Sequence, residues 1–440
     1  MKLHSENFLN YLKGAFWPMF RVKVLLFLFA VSFSLSAQDS AVVVPKAQEL
    51  VRVLAGPSMA GRGYVKRGDA QAADFLGLMF KSYRAIPVTD SYFQEFEFPI
   101  NTFPYPLRVE LDTMKLVPGE TFLLDPASGS AKGSYDLVPI ELENIEGEVK
   151  SILKDPCKEC AYWVDLPKTK DKDSLALFHS IRTSLPNVAP IVWVNNEKFT
   201  WGASTDTFEY PLIEVKFEGD SLPTMAQLDV RNYYKKTHEA RNVIAMIPAK
   251  EKSNKYIVFS AHYDHLGMMG PDALFPGAND NASGTVMLLT LAEYYASHPA
   301  DVNMVFIAFA GEEAGLLGSR YFVDHPTIPL EKIEFLINLD IFGTGDEGIT
   351  VVNATEHEKE YELLKEIGER DGRLAKVKKR GPTQNSDHYW FTTKDVPAFF
   401  IYTMGGIKAY HDIYDRPETL PLTEYYDIYR TLTEFVEHLD

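Results

Sequence analysis

Three apolar runs of this 440-residue sequence end in acids or imidazoles. Tyr256–Ser260 runs into Ala261-His262-Tyr263-Asp264-His265, Met304–Phe309 into Gly311-Glu312-Glu313, and Phe335–Leu339 into Asp340. Between the first two, the glycine-rich turn from Gly277 to Gly284 carries Asp280, and Tyr410-His411-Asp412 follows a further run, Ala398–Tyr402. Each feature has an ordinary structural reading. A Glu-Glu pair at a helix start complements the helix dipole, an Asp in a glycine-rich turn caps a helix, and a lone histidine packs in a core. Taken together they offer mixed imidazole and carboxylate donors, a set that suits Zn²⁺. Asp264, Asp280, Glu312, Glu313 and Asp340, gathered at one place, would repel one another severely without cations among them.

Such a gathering needs elements that bring distant segments to one edge. From Asn242 onward, apolar strand candidates (Val243–Ile247 and the four runs above) alternate with helical stretches at 283–297, 314–324, 356–370 and 422–439. That pattern predicts an α/β fold with a mixed, mostly parallel sheet flanked by helices. In open α/β sheets ligands bind beyond the carboxyl ends of the strands, which is where these acids and imidazoles fall. Upstream, helices are expected at Ala47 to Leu54 and Ala70 to Tyr83, separated by Gly61-Arg62-Gly63. Residues 101–232 change character: Pro, Asp, Thr and Gly punctuate short β-prone runs such as Ile191–Val194 and Leu212–Phe217, as in a separate, mostly β unit.

In this order, the strings AHYDH, GANDNASG, GEEAGLLGS, NLD and YHD resemble the M28 family of di-zinc metallopeptidases, which includes bacterial secreted aminopeptidases. The likeness is close over 240–440 and looser over 45–98, through Met59-Ala-Gly-Arg-Gly63 and the following helix. It implies a zinc exopeptidase-like catalytic domain from 40–100 and 233–440. It further implies His262 and Asp340 as ligands of one Zn²⁺, Glu313 and His411 as ligands of a second, and Asp280 bridging both. Glu312 would be the general base acting on a water between the two ions, and Asp264 the partner that orients His262. A bridging carboxylate sets two ions about 3.5–4 Å apart, the spacing of two-metal hydrolytic sites. The implied activity is release of N-terminal residues from peptide substrates. Alternatives on the same fold are a glutaminyl cyclase or a carboxypeptidase, and outside enzymes a metal-free binding protein. The intact GEEAGLLGS string favours a peptidase. The stretch 101–232 lies where many family members insert a protease-associated domain, and Ala189–Asn195 and Tyr210–Val215 are similar to that domain's later strands. Placed near the metals, it would restrict substrates to short peptides. Ser386-Asp387-His388 has two readings, a pocket lining or a cap for the helix at Tyr389.

Composition narrows the remaining classes. With 46% hydrophobic and 24% charged residues the chain has the make-up of a folded globular protein. Its 44 Lys+Arg against 61 Asp+Glu give a net charge of −17, which argues against a nucleic-acid partner, since phosphate binding needs clustered basic residues. Val24 to Ala37 is too short for a membrane span, which takes roughly 20 residues. Behind Arg21 and Lys23, and ending in the small residues Ser34, Ser36 and Ala37 ahead of polar Gln38-Asp39-Ser40, it reads as a cleaved signal peptide over residues 1–37, with translation starting at Met1 or Met19, and predicts a secreted or periplasmic protein. For such a compartment Cys157 and Cys160, the only cysteines, are expected to form a local disulfide.

Overall fold

The central strands are buried on both faces and so read as continuous apolar runs. In the computed structural model, which describes residues 40–219 and 221–439, they form β1 (Phe93–Thr102), β2 (Tyr233–Ile247), β3 (Tyr256–His262), β4 (Asn303–Phe309), β5 (Ile333–Leu339), β6 (Gly348–Val352), β7 (Val377–Lys379) and β8 (Ala398–Met404). The order across the sheet is Ile86–Pro87, β2, β4, β3, β5, β8, β6, β7, and β1 also pairs with β2. The middle strands β4, β3, β5 and β8 are parallel, with His262 opposite Phe309, Ser260 opposite Asn338 and Leu339 opposite Ile401. The flanking pairs β2·β4 and β8·β6 are antiparallel. The molecule is therefore mixed α/β, as the alternating pattern predicts. The signal-peptide reading falls on residues outside those described.

Successive side chains of the middle strands go to opposite cores. Ile257, Phe259, Met304, Phe306, Phe335 and Ile337 pack with helices α1 (Ser40–Leu54), α2 (Gly68–Ser82), α3 (Gly284–Ser297), α5 (Glu358–Glu369) and α6 (Tyr425–Glu437). Val258, Val305, Ile307 and Leu336 face α4 (Leu317–Asp324) and the short helix His388–Thr392. This period of two, with both cores apolar, makes the sheet a rigid platform for whatever its strand ends carry.

The elements differ from the sequence expectations where apolar content is a poor guide. Strand β2 begins at Tyr233, ten residues ahead of Val243, because its outer part alternates buried and exposed residues and pairs with β1. Strand β6 begins with Gly348, whose φ is 95°, and β7 has only three residues, so neither stands out as an apolar run. Helix α3 starts only at Gly284; Asp280 precedes it in a wound segment, Ala278–Ser283, with an extended backbone (φ −110°, ψ 103°), and is not its cap.

Residues 108–230 supply all the strands of a second, eight-stranded sheet. Its strands Ala131–Pro139, Cys160–Val164, Ile191–Val194 and Leu212–Val215 run parallel. Two helices, Ile145–Lys154 and Lys172–Ser184, accompany them, so this stretch holds more helix than its β-prone runs announce. Cys157 and Cys160 are disulfide-bonded. The apolar core of this sheet takes in Leu266 and Ile413, from the connections after β3 and β8, and Met269 and Phe275, from a two-stranded sheet of Gly267–Met269 and Ala273–Phe275. Among the described residues no helix is long and apolar enough to cross a membrane.

Candidate metal centre

The carboxyl ends of β3, β4 and β5 lie side by side, so His262, the Glu312-Glu313 turn and Asp340 meet without any strand having to bend. His262 Nε2 stands 3.3 Å from Asp340 Oδ1 and 3.4 Å from Asp280 Oδ1. The other oxygen of Asp280 is 3.0 Å from His411 Nε2, which is also 3.2 Å from Glu313 Oε2. Two triads therefore share one carboxylate: His262–Asp280–Asp340 and His411–Asp280–Glu313. Glu312 Oε2 lies farther out, 4.0 Å from His262 Nε2. All seven residues singled out in the sequence are brought together, His262, Asp264, Asp280 and Asp340 being buried and His411 partly so.

A layer of hydrogen bonds holds these groups. The Asp264 carboxylate accepts from the Tyr64 hydroxyl (2.8 Å) and from the backbone N–H groups of Glu312 (3.1 Å) and Glu313 (3.3 Å). It is 3.9 Å from His262 Nδ1, whereas its own backbone carbonyl is 3.2 Å from that nitrogen. The expectation that the Asp264 side chain orients His262 is thus replaced. The chain turns after His262, so the carbonyl meets the ring and the carboxylate fixes the Glu312-Glu313 turn. His265, given no role from sequence, has Nδ1 2.6 Å from Glu313 Oε1. Of the two readings of Ser386-Asp387-His388, the cap fails: Asp387 makes no capping bond, and Ser386 Oγ donates to Asp340 Oδ2 at 3.1 Å.

The loop bearing Asp280 is held from beneath. Asp415 accepts from the N–H groups of Asn279 (2.8 Å) and Asp280 (3.0 Å). Fully buried Arg62 donates to the carbonyls of Tyr263, Leu54, Pro276, Gly277 and Asp280. Tyr64, Arg62, His265 and Asp415 were not found from sequence. Only the MAGRG string near Arg62 pointed toward any of them.

The electrostatics are those of a carboxylate cluster short of positive charge. Burial raises Glu312 well above the ordinary carboxylate range against the pull of His262, and Asp387, Glu313 and Asp340 add to the rise. Burial likewise pushes Asp264 up to about 6 and Asp387 up to about 7. Glu313 is the exception: burial opposes ionisation there, yet His411 and His265 hold it at about 2. Burial acts against a charged His411 too, but Glu313 and Asp280 carry it up to about 11. A donor set of two imidazole nitrogens and carboxylate oxygens, with ligand atoms of His262, Glu312 and Asp340, and of His262, Asp280 and Glu313, within 4.8 Å of one another, fits divalent cations.

Known proteins resemble this chain in sequence and in fold. Aminopeptidase YwaD of Bacillus subtilis (strain 168) is 30% identical over 261 residues, 57% of this chain and 52% of that protein. The chain thus spans about half the length of that curated relative. In structure it is similar to BSAP, a zinc aminopeptidase from Bacillus subtilis (TM-score 0.65, 19% identity, 89% of this chain and 93% of that one). It is also similar to an aminopeptidase from Aneurinibacillus sp. strain AM-1 (TM-score 0.58, 20% identity, 88% and 92%). At those identities the likeness establishes the shared fold. The motif-bearing part of the chain, residues 242–436, matches the family model for peptidase family M28, with its strands, turn and acidic edge in the order described above.

Proposed function

We propose that this protein is a zinc aminopeptidase that binds two ions and hydrolyses N-terminal peptide bonds. The observation that carries the reading is Asp280, whose two oxygens face different imidazoles, His262 at 3.4 Å and His411 at 3.0 Å. His262, Asp280 and Asp340 would hold one Zn²⁺, and Asp280, Glu313 and His411 the other. Bound there, such ions supply Lewis acidity toward a carbonyl and a water molecule. Glu312 stands just outside both triads and is the group free to move a proton. It takes one from the attacking water and gives it to the leaving amine, work for which an elevated carboxylate pKa is suited. Asp264 keeps Glu312 and Glu313 apart in function by pinning the backbone N–H of each.

The zinc aminopeptidase from Bacillus subtilis that shares this fold supports the reading, as does YwaD in sequence. The wider assignment includes export through residues 1–37 to a secreted or periplasmic location, and an inserted unit over 101–232 that narrows the approach to the centre. The deciding assay offers amino-acid p-nitroanilides, N-blocked peptides and N-terminal Gln peptides to the purified protein, with and without a chelator. Chelator-sensitive hydrolysis of the unblocked substrates is expected. Cleavage of blocked peptides from the carboxyl end, cyclisation of Gln peptides without hydrolysis, or indifference to the chelator would each overturn it.

A further inference from the structure

Between Met404 and Pro417 the chain has neither helix nor strand, yet it carries His411. His411 has φ of 53°, a left-handed conformation that costs a residue with a β-carbon about 1 kcal/mol. Something outside the loop must hold it, and the hydrogen bonds to its carbonyl and to its Nδ1 come from Trp201, in the second sheet's segment Lys198 to Trp201. The Trp201 N–H donates to the His411 carbonyl at 2.9 Å, and His411 Nδ1 donates to the Trp201 carbonyl, also at 2.9 Å. That exchange leaves Nε2 facing Asp280 and Glu313, which fixes both ring orientation and tautomer. Lys198 closes on either side of the same residue. Its ammonium donates to the carbonyls of Lys408 (2.6 Å) and Tyr410 (3.1 Å) and pairs with Asp412 at 3.0 Å. Trp201 is itself anchored, with its indole N–H donating to the Leu124 carbonyl at 2.8 Å and its ring 4.5 Å from that of Phe275. Among the described residues no hydrogen bond or ion pair from the second sheet reaches His262 or Asp340, which stand at the carboxyl ends of β3 and β5.

We propose that Lys198 and Trp201 are positioning residues for His411, so that the cation position formed with Asp280 and Glu313 is completed by the second sheet, while the position of His262, Asp280 and Asp340 is not. This rests on the two-ion reading above, and it makes the 101–232 unit part of the centre. The test titrates metal-free full-length protein with Zn²⁺ against a chromophoric chelator, and records Co²⁺ absorption spectra, for wild type, Lys198→Met, Lys198→Arg and Trp201→Phe. Wild type should take two equivalents. Lys198→Met and Trp201→Phe should hold one with wild-type affinity and bind the other about tenfold or more weakly, the scale on which lost ligand-orienting contacts act. Lys198→Arg should restore the second, and only one of the two Co²⁺ spectra should change. Unaltered binding of both ions in Lys198→Met, or equal weakening of both, overturns the proposal. Failure of wild type to take two ions defeats the two-ion reading instead. Lys198 has a side chain 46% exposed, so Lys198→Met decides the matter even if Trp201→Phe does not fold.

Discussion

Glu312 and Glu313 are neighbours with opposite electrostatic settings. Burial among acids keeps Glu312 raised, whereas His411 and His265 hold Glu313 at about 2 against the same burial. Their roles should separate accordingly on amide substitution. Glu312→Gln should lower kcat on the order of 10²- to 10⁴-fold, the range for loss of a general acid–base, with metal content unchanged. Loss of metal from Glu312→Gln, read by elemental analysis, would make it a ligand. At this scale the sequence was most informative about residues that end strands, because a strand end has a predictable address on a parallel sheet. It was silent about His265 and Asp415, whose bonds depend on how loops fold back, and it gave the carboxylate of Asp264 a bond that its carbonyl makes.

Among elements, the segment Pro57–Arg62 shows how a site is held without touching it. Arg62 is completely buried, and burial lowers it to about 10 against the acids around it. Its guanidinium satisfies carbonyls of the end of α1, of the turn after β3 and of the Asp280 segment. Arg62→Met removes those donors and strands several buried acceptors, each worth about 1–3 kcal/mol. We expect a loss of at least about 3 kcal/mol in urea unfolding, together with weakened metal binding. A loss under about 1 kcal/mol would mean that water replaces the guanidinium freely. The helices flanking this segment were legible from apolar spacing, but the arginine's purpose was not, since its partners lie as far as 218 residues away.

For the whole molecule, the excess of acid has a consequence for stability. In the metal-free protein Asp264, Asp387 and Asp415, raised to about 6, 7 and 6, bind protons more readily when folded than unfolded. Folding stability therefore falls as pH rises from about 4 through those values. His411, raised to about 11, adds a contribution complete below its unfolded pKa and lost as pH climbs above it, so both trends have the same sign. Metal-free protein prepared by dialysis should show a Tm that drops between pH 5 and pH 8. Zinc-loaded protein should show the reverse, because its ligands must be deprotonated. A metal-free Tm that rises with pH in this window would contradict the assigned ionisations. At this scale the α/β plan was plain in the alternation of runs and helical stretches. The second sheet's role was not, since Lys198 and Trp201 carry no motif and the two bonds to His411 are made by backbone.

The bond between Trp201 and His411 spans 210 residues of sequence, and that between Arg62 and Tyr263 spans 201. Contacts of such separation form late, because the entropy of closing the intervening chain must be met before they stabilise anything. The protein is thus expected to gain its sheets before its catalytic competence. On refolding from urea in excess zinc, recovery of hydrolysis should trail recovery of far-UV circular dichroism, and coincident recovery would contradict this order. On the two-ion reading proposed above, a nascent chain would gain activity only once β8 and the loop bearing His411 have docked.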